Sequence, residues 1–426
     1  MTSAALDRGI EIARERDSSD VLARFRDEFD LPLAEDGSPV HYFCGHSLGL
    51  MPRRAREVVD RELDRWSRLG VGGHFDSDDG WFAYHERFAA PLAGLLGAEP
   101  REVVAMNSLT VNLHLMLASF FRPDGSRNRI LIERAAFPSD RYAVASQLAF
   151  HGLDRTEDLI ELDAPAGRVT ADALDAALAA ENGRVALVLL PGVQYLTGEA
   201  LDLVACTAAA KRHGCRIGFD LAHAIGNLAL DLNAADPDFA VWCSYKYLNG
   251  GPGAIGGCFV NRRWIDDPGL PRLEGWWGHD KQRRFEPAAR FAPIATADAW
   301  QLSNPPILAM APLEASLKLL ADAGIERLRE KSLALTGFLE EMVGELCGDR
   351  AELLTPRERD ARGAQLSFRL RLEPGRKEHV ATALAAAGVV ADWREPDVLR
   401  LAPVPLYNSF ADVLAGACRL AQVLGS

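Results

Sequence analysis

A carboxylate and an amine that could act on one bound group stand 26 positions apart: Asp220 in Phe219-Asp-Leu-Ala-His-Ala224, and Lys246 in Trp242-Cys-Ser-Tyr-Lys-Tyr247. Asp220 ends a short apolar run that reads as a strand, and Lys246 follows the next such run. If those strands are neighbours, both side chains emerge at the carboxyl edge of one sheet, where α/β folds place ligands. The pair suits an aldehyde-bearing pyridine. Lysine condenses with an aldehyde to a Schiff base, and a carboxylate keeps the ring nitrogen protonated so that the ring draws electrons from the substrate. Taken singly, a surface lysine and a helix-capping aspartate are the bland accounts. Tyrosines on both sides of Lys246 and the glycine-rich stretch 249–257 beside it favour the chemical one.

Such a cofactor carries a phosphate, which a helix N-terminus binds readily. Asn107-Ser-Leu-Thr-Val-Asn112 opens a helical stretch and offers backbone N–H groups and a hydroxyl, although an ordinary cap would look the same. In Ala136-Phe-Pro-Ser-Asp140 an aromatic could stack on the ring, or the segment is a turn with Pro at its second position. His223, three after Asp220, could orient that carboxylate or the ring. Two other matches are decoys. Gly45-His-Ser-Leu-Gly49 fits the nucleophile-elbow pattern, but Met51-Pro52 delays the helix that must follow the serine. Gly251-Pro-Gly-Ala-Ile-Gly256 fits a dinucleotide fingerprint but precedes a strand instead of following one.

The elements that must position these residues are legible as alternating apolar runs and helical patterns. Residues 129–133, 184–190, 215–220 and 239–243 read as strands covered on both faces, with helices predicted over 110–120, 170–181 and 199–213. The alternation predicts a mostly parallel sheet. Beyond Pro312 a long helical stretch, a strand over 364–371 and helices over 379–387 and 409–424 predict a smaller α+β domain. The expected organisation is 1–60 as a segment packing with the small domain, 61–310 as the large cofactor-binding domain, and 311–426 as the small C-terminal domain.

Composition excludes other classes. The 426 residues carry 47 Lys+Arg against 60 Asp+Glu, a net charge of −13, which disfavours nucleic acid as partner. Seven scattered cysteines without C-x-x-C spacing read as reduced thiols and exclude a zinc site. No apolar run reaches the roughly 20 residues of a membrane span, and the charged N-terminus lacks a signal-peptide core, so a cytoplasmic protein is expected.

Read in order, Tyr42-Phe-Cys-Gly-His-Ser-Leu-Gly-Leu50, Met106-Asn-Ser-Leu-Thr-Val-Asn-Leu-His-Leu115, Ala136-Phe-Pro-Ser-Asp140, Asp220-Leu-Ala-His-Ala224, Trp242-Cys-Ser-Tyr-Lys-Tyr-Leu-Asn249, Gly275-Trp-Trp-Gly-His279 and Ser303-Asn-Pro-Pro306 resemble the kynureninases. The likeness spans about residues 40 to 410 and includes Asp392-Trp-Arg-Glu-Pro-Asp397 and Pro403-Val-Pro-Leu-Tyr-Asn408. It implies the fold-type I fold of pyridoxal 5′-phosphate enzymes and a homodimer with shared active sites. The implied reaction hydrolyses L-kynurenine or 3-hydroxy-L-kynurenine to anthranilate or 3-hydroxyanthranilate and L-alanine. Carried over position by position, Lys246 bonds the cofactor and removes the α-proton, Asp220 pairs with the pyridine nitrogen, and Phe137 stacks on the ring. Leu109, Thr110, Tyr245 and the partner's Trp276 hold the phosphate, Ser139 and Asn304 also bind the cofactor, and Asp140 and His223 belong to the network around the ring. Tyr245 is also the candidate proton donor. Arg362 is expected to take the substrate carboxylate, while Ser47, His74 and Asn304, the last from across the dimer, meet the aryl end.

The His74 and Asn304 pair inclines the reading to the 3-hydroxylated substrate. Three positions depart from the family pattern: His46 for Asn, Pro191 for a small hydroxyl residue, and Glu199 for Gln. The alternatives are another fold-type I enzyme, such as a class V aminotransferase or a cysteine desulfurase, and a serine hydrolase built on Ser47.

Overall fold

In the computed structural model, residues 3–76, 79–163, 168–287, 290–373 and 376–425 are described. Seven strands form the main sheet: β1 (Val103–Ala105), β2 (Arg129–Glu133), β3 (Leu159–Leu162), β4 (Val185–Pro191), β5 (Arg216–Asp220), β6 (Phe239–Cys243) and β7 (Gly256–Val260). Their order is β1-β7-β6-β5-β4-β2-β3. β3, β2, β4, β5 and β6 pair in parallel, and β7 runs antiparallel to both β6 and β1. The strands are apolar almost throughout because helices cover both faces, leaving no alternation to read. The register sets Asp220 against Val241, so the strand that ends in Asp220 and the strand that precedes Lys246 are adjacent, as the spacing required.

The helices include α1 (Ser3–Ser18), α2 (Arg54–Leu69), α3 (Leu109–Phe120), α4 (Pro138–Phe150), α5 (Ala171–Ala180), α6 (Leu203–Arg212), α7 (Ile307–Ala323), α8 (Ile325–Cys347) and α9 (Phe410–Gly425). Their starts follow capping chemistry. Thr170 accepts from the Ala173 N–H at α5, and Asp202 accepts from the Ala205 N–H at 2.9 Å at α6. α6 starts after Asp202, later than the expected Glu199, because Glu199 pairs with Arg362 and the Ala200 N–H is donated to the Ala361 carbonyl. The long C-terminal helical stretch is two helices, broken at Gly324, whose φ of 78° few other residues adopt.

A second sheet is antiparallel: β8 (Ala351–Leu353), β9 (Leu366–Leu370), β10 (Asp392–Arg394) and β11 (Val398–Leu401), in the order β8-β9-β11-β10. Its core joins Leu366, Phe368, Leu399 and Leu401 to Phe338 and Met342 of α8 and Val413 and Ala417 of α9. α1 belongs to this unit. Arg16 lies over the rings of Phe338 and Phe410, and the Asp17 carboxylate accepts the Phe410 and Ala411 N–H groups at the start of α9, where a negative charge is favoured. α2 instead packs on α7, so positions 60 and 310 both fall inside helices. Among the described residues no helix is long and apolar enough to cross a membrane.

Candidate functional site

At the carboxyl edge of the main sheet lies a cavity of about 160 Å³. Leu109, Thr110, Phe137, Ser139, Asp140, Asp220, His223, Tyr245 and Lys246 all line it, together with Glu133, Pro191 and Tyr195. The contributions come from strand ends and helix starts: Glu133 ends β2, Pro191 ends β4, Asp220 ends β5, and Leu109 and Ser139 sit in the first turns of α3 and α4. Thr110 and Ser139 bring their hydroxyls within 2.8 Å of each other, so two helix N-termini converge on one end of the cavity. That is a ready anion site.

Lys246 lines the same cavity. Its Nζ is 5.9 Å from the ring centroids of both Phe137 and Tyr245. The Gly45–Gly49 turn seats directly on this segment: the Gly49 N–H is donated to the Tyr245 carbonyl, and a Cβ at Gly49 would lie 2.4 Å from the Lys246 carbonyl oxygen. Only glycine permits that approach. The turn is followed by extended residues and not by a helix, and Ser47 is exposed, an arrangement unlike a nucleophile elbow.

Electrostatics separate the acids. The Asp220 carboxylate accepts the Ala222 N–H at 2.7 Å, and the Asp140 and Asp220 carboxyls hydrogen-bond each other. Burial pushes both groups up. Asp140 rises further because Asp220 and Glu133 crowd it with negative charge, whereas Lys246 holds Asp220 down. Burial also pushes Glu133 up to about 7. His223 is driven well below its usual range, first by burial and then by Lys246, so it is neutral. The Tyr245 hydroxyl, half-buried and beside the Cys243 thiol, is pushed up and stays protonated. Phe137 meets Tyr195 edge-on at 5.2 Å, which fixes one wall of the cavity.

Five expected residues do not line the cavity. Trp276 and Asn304 are exposed, and the Trp276 indole N–H is donated to the Arg284 carbonyl at 2.7 Å. His74 lies edge-on to Trp81 at 5.6 Å, in a segment anchored by the Trp81 indole N–H on the Glu62 carboxylate. Ser47 is on the turn already described. Arg362 stands apart from the cavity. Its guanidinium is buried and paired with Glu340 of α8 at 2.5 Å, because the 361–363 segment docks on Ala200 and Asn227 and turns the side chain toward that helix. The arginine that bonds a lining residue of the cavity is Arg400 of β11. It donates to the Tyr195 carbonyl and to Asp392, which it shares with Arg394. The signal for it in the sequence was a single cation inside the apolar run 398–402.

The donor set fits a phosphorylated pyridine aldehyde. An amine faces the cavity, a carboxyl pair ends in a sealed Asp140 Oδ1 with no partner, and two helix starts with hydroxyls supply the anion end. Solved structures share this architecture. A cysteine desulfurase from Thermococcus onnurineus NA1 superposes with a TM-score of 0.76 at 16% identity over 95% of this chain and 98% of that one. A C-DES mutant solved with glycine covalently linked to its PLP cofactor gives 0.75 at 19% over 90% and 96%. Fold and site therefore define the scaffold of fold-type I, class V pyridoxal-phosphate enzymes.

Sequence comparison narrows the class. Residues 328–420 match the kynureninase C-terminal domain. A kynureninase of Koribacter versatilis (strain Ellin345) is 50% identical over 415 residues, 97% of each chain, and one of Xanthomonas euvesicatoria pv. vesicatoria (strain 85-10) is 52% identical over 93% of this chain and 94% of its own. The chain belongs to the kynureninase family.

Proposed function

We propose that this protein is a pyridoxal 5′-phosphate-dependent hydrolase of a carbon–carbon bond, cleaving L-kynurenine or 3-hydroxy-L-kynurenine to anthranilate or 3-hydroxyanthranilate and L-alanine. The observation that carries this reading is the meeting of Lys246 with the Asp220–Asp140 pair in one cavity, in a chain about half identical to kynureninases along nearly its whole length. When bound, the cofactor supplies an electron sink for the substrate carbons.

The chain's own residues do the rest. Lys246 would hold the cofactor aldehyde and would take the α-proton of the substrate. Asp220 would pair with the pyridine nitrogen, and protonated Asp140 donates to Asp220. Phe137 would cover the ring face, while Leu109, Thr110 and Ser139 would hold the phosphate. Arg400 takes the substrate carboxylate, for which a guanidinium is suited. Tyr245, protonated at working pH, delivers a proton to the carbon released when the side chain departs. His223 offers a neutral imidazole to the ring. Ser47, His74 and Asn304 meet the aryl group, with selection for the 3-hydroxyl through hydrogen bonds that the unsubstituted substrate leaves unmade. The exposure of Trp276 and Asn304 supports a homodimer in which they complete the partner's site. A cytoplasmic location goes with the reduced thiols.

The desulfurase reading loses support because none of the seven cysteines lines the cavity. Incubation of the holoenzyme with L-kynurenine, 3-hydroxy-L-kynurenine and L-cysteine tests the assignment. Alanine and the aryl acid form from one or both of the first two, whereas sulfide from cysteine alone would refute it.

A further inference from the structure

The turn Gly45–Gly49 contributes Ser47 to the reading above and leaves His46 without a task. His46 is 1% exposed; its ring lies near the Phe43 backbone, yet neither ring nitrogen makes a well-formed hydrogen bond. Native folds keep a sealed polar group of this kind where something completes it. Its neighbour is His223, at 6.0 Å between ring centroids with the planes at 59°. His223 lines the cavity, yet its Nδ1 is sealed and also lacks a partner. Tyr247 stands edge-on to His223 at 6.4 Å, and its hydroxyl is a third sealed, unpartnered group.

These three side chains come from separate segments: the 45–49 turn, the stretch after β5 and the stretch after β6. No direct bond joins these nitrogens and the hydroxyl, and the ring separations leave room for one bridging molecule. Three polar partners are the usual complement of a buried water. The charged groups around them are Lys246, Arg394 and Arg400, with Asp392 shared by the two arginines. Burial and those cations keep both imidazoles neutral. A neutral imidazole has one N–H and one lone pair, and the partner of one nitrogen decides which nitrogen carries the hydrogen.

We propose that His46, together with Tyr247, is a positioning residue. Through one buried water it fixes which nitrogen of His223 carries the hydrogen, and therefore whether His223 presents a donor or an acceptor to the cofactor. The proposal rests on the cofactor reading of the cavity and is independent of which substrate is used.

The test follows the pH titration of the visible absorption of the bound cofactor in the full-length holoenzyme. In His46→Phe, which keeps a ring without donor or acceptor, the midpoint moves by about half a unit or more. Turnover falls about fivefold, the worth of one ordinary hydrogen bond, with KM changed less than about twofold. His46→Gln restores a donor and an acceptor and returns the midpoint toward wild type. Tyr247→Phe removes one hydroxyl, keeps the packing and moves the midpoint in the same direction as His46→Phe, so it decides the matter even if His46→Phe does not fold. A wild-type midpoint in Tyr247→Phe overturns the proposal. So does a folded His46→Gln that titrates like His46→Phe, because the role is then packing alone. A wild-type protein with no cofactor band would overturn the cofactor reading and this proposal with it.

Discussion

The carboxyls of Asp140 and Asp220 hydrogen-bond each other at the cavity wall, although one stands in the first turn of α4 and the other ends β5. Two buried carboxylates in contact cannot both ionise. The Ala222 N–H and the Lys246 amine favour charge on Asp220, so the shared proton rests on Asp140.

That asymmetry separates two isosteric variants. Asp220→Asn removes the anion that pairs with the pyridine nitrogen, and kcat falls about a hundredfold or more. Asp140→Asn keeps an N–H donor toward Asp220, and kcat stays within about tenfold of wild type. Steady-state kinetics on both variants check this, and equal losses would contradict it. Lys246→Ala marks the lower limit, with neither a visible cofactor band nor turnover.

Glu133 sets a pH dependence of stability. Its carboxyl is pushed up to about 7 in the folded protein against an ordinary 4.5, so between those values the native state binds more protons than the unfolded state. Stability attributable to this group therefore falls as pH rises through that window, by about 3 kcal/mol in all. Glu133→Gln removes the dependence while its amide oxygen still accepts from Gln194. Denaturant unfolding of the apoprotein should find the variant ahead of wild type at about pH 8 and level with it near pH 4. A margin that does not change with pH would refute this.

The two arginines predict opposite outcomes. In Arg400→Lys, loss of the planar fork lowers kcat/KM by about a hundredfold, mainly through KM. In Arg362→Lys the change falls on stability, since Arg362 is committed to Glu340, and KM stays near wild type. A raised KM in Arg362→Lys with a normal one in Arg400→Lys would restore the original expectation.

Substrate choice can be read from a ratio. The wild-type enzyme is expected to favour 3-hydroxy-L-kynurenine over L-kynurenine by about tenfold or more in kcat/KM, and His74→Leu to erase most of that preference. An unchanged ratio in the variant would remove His74 from aryl recognition.

The large sheet was legible because strands buried on both faces are short apolar runs, and four of them, at residues 129–133, 184–190, 215–220 and 239–243, lie within one or two residues of the observed β2, β4, β5 and β6. The three-residue β1 and the edge strand β3 gave no such run long enough to read. The Thr170 cap of α5 was equally local, whereas α6 starts after Asp202 and not at Glu199 because Glu199 is drawn into a backbone bridge with Arg362, far apart in the chain.

The order of residues along the chain determined the chemistry available: an amine after one strand, a carboxylate at the end of its neighbour, hydroxyls at helix starts, and enough family motifs to name the relatives. Those are short-range patterns, and local backbone preferences suffice to write them. Tertiary structure alone decided which distant groups meet. It set Arg400 on the Tyr195 carbonyl and Arg362 on Glu340, joined Asp140 to Asp220, and set His46 beside His223. Each of those choices depends on how a sheet edge, a helix start and the small domain pack together. Packing is a property of whole surfaces in contact, and no run of neighbouring residues encodes it.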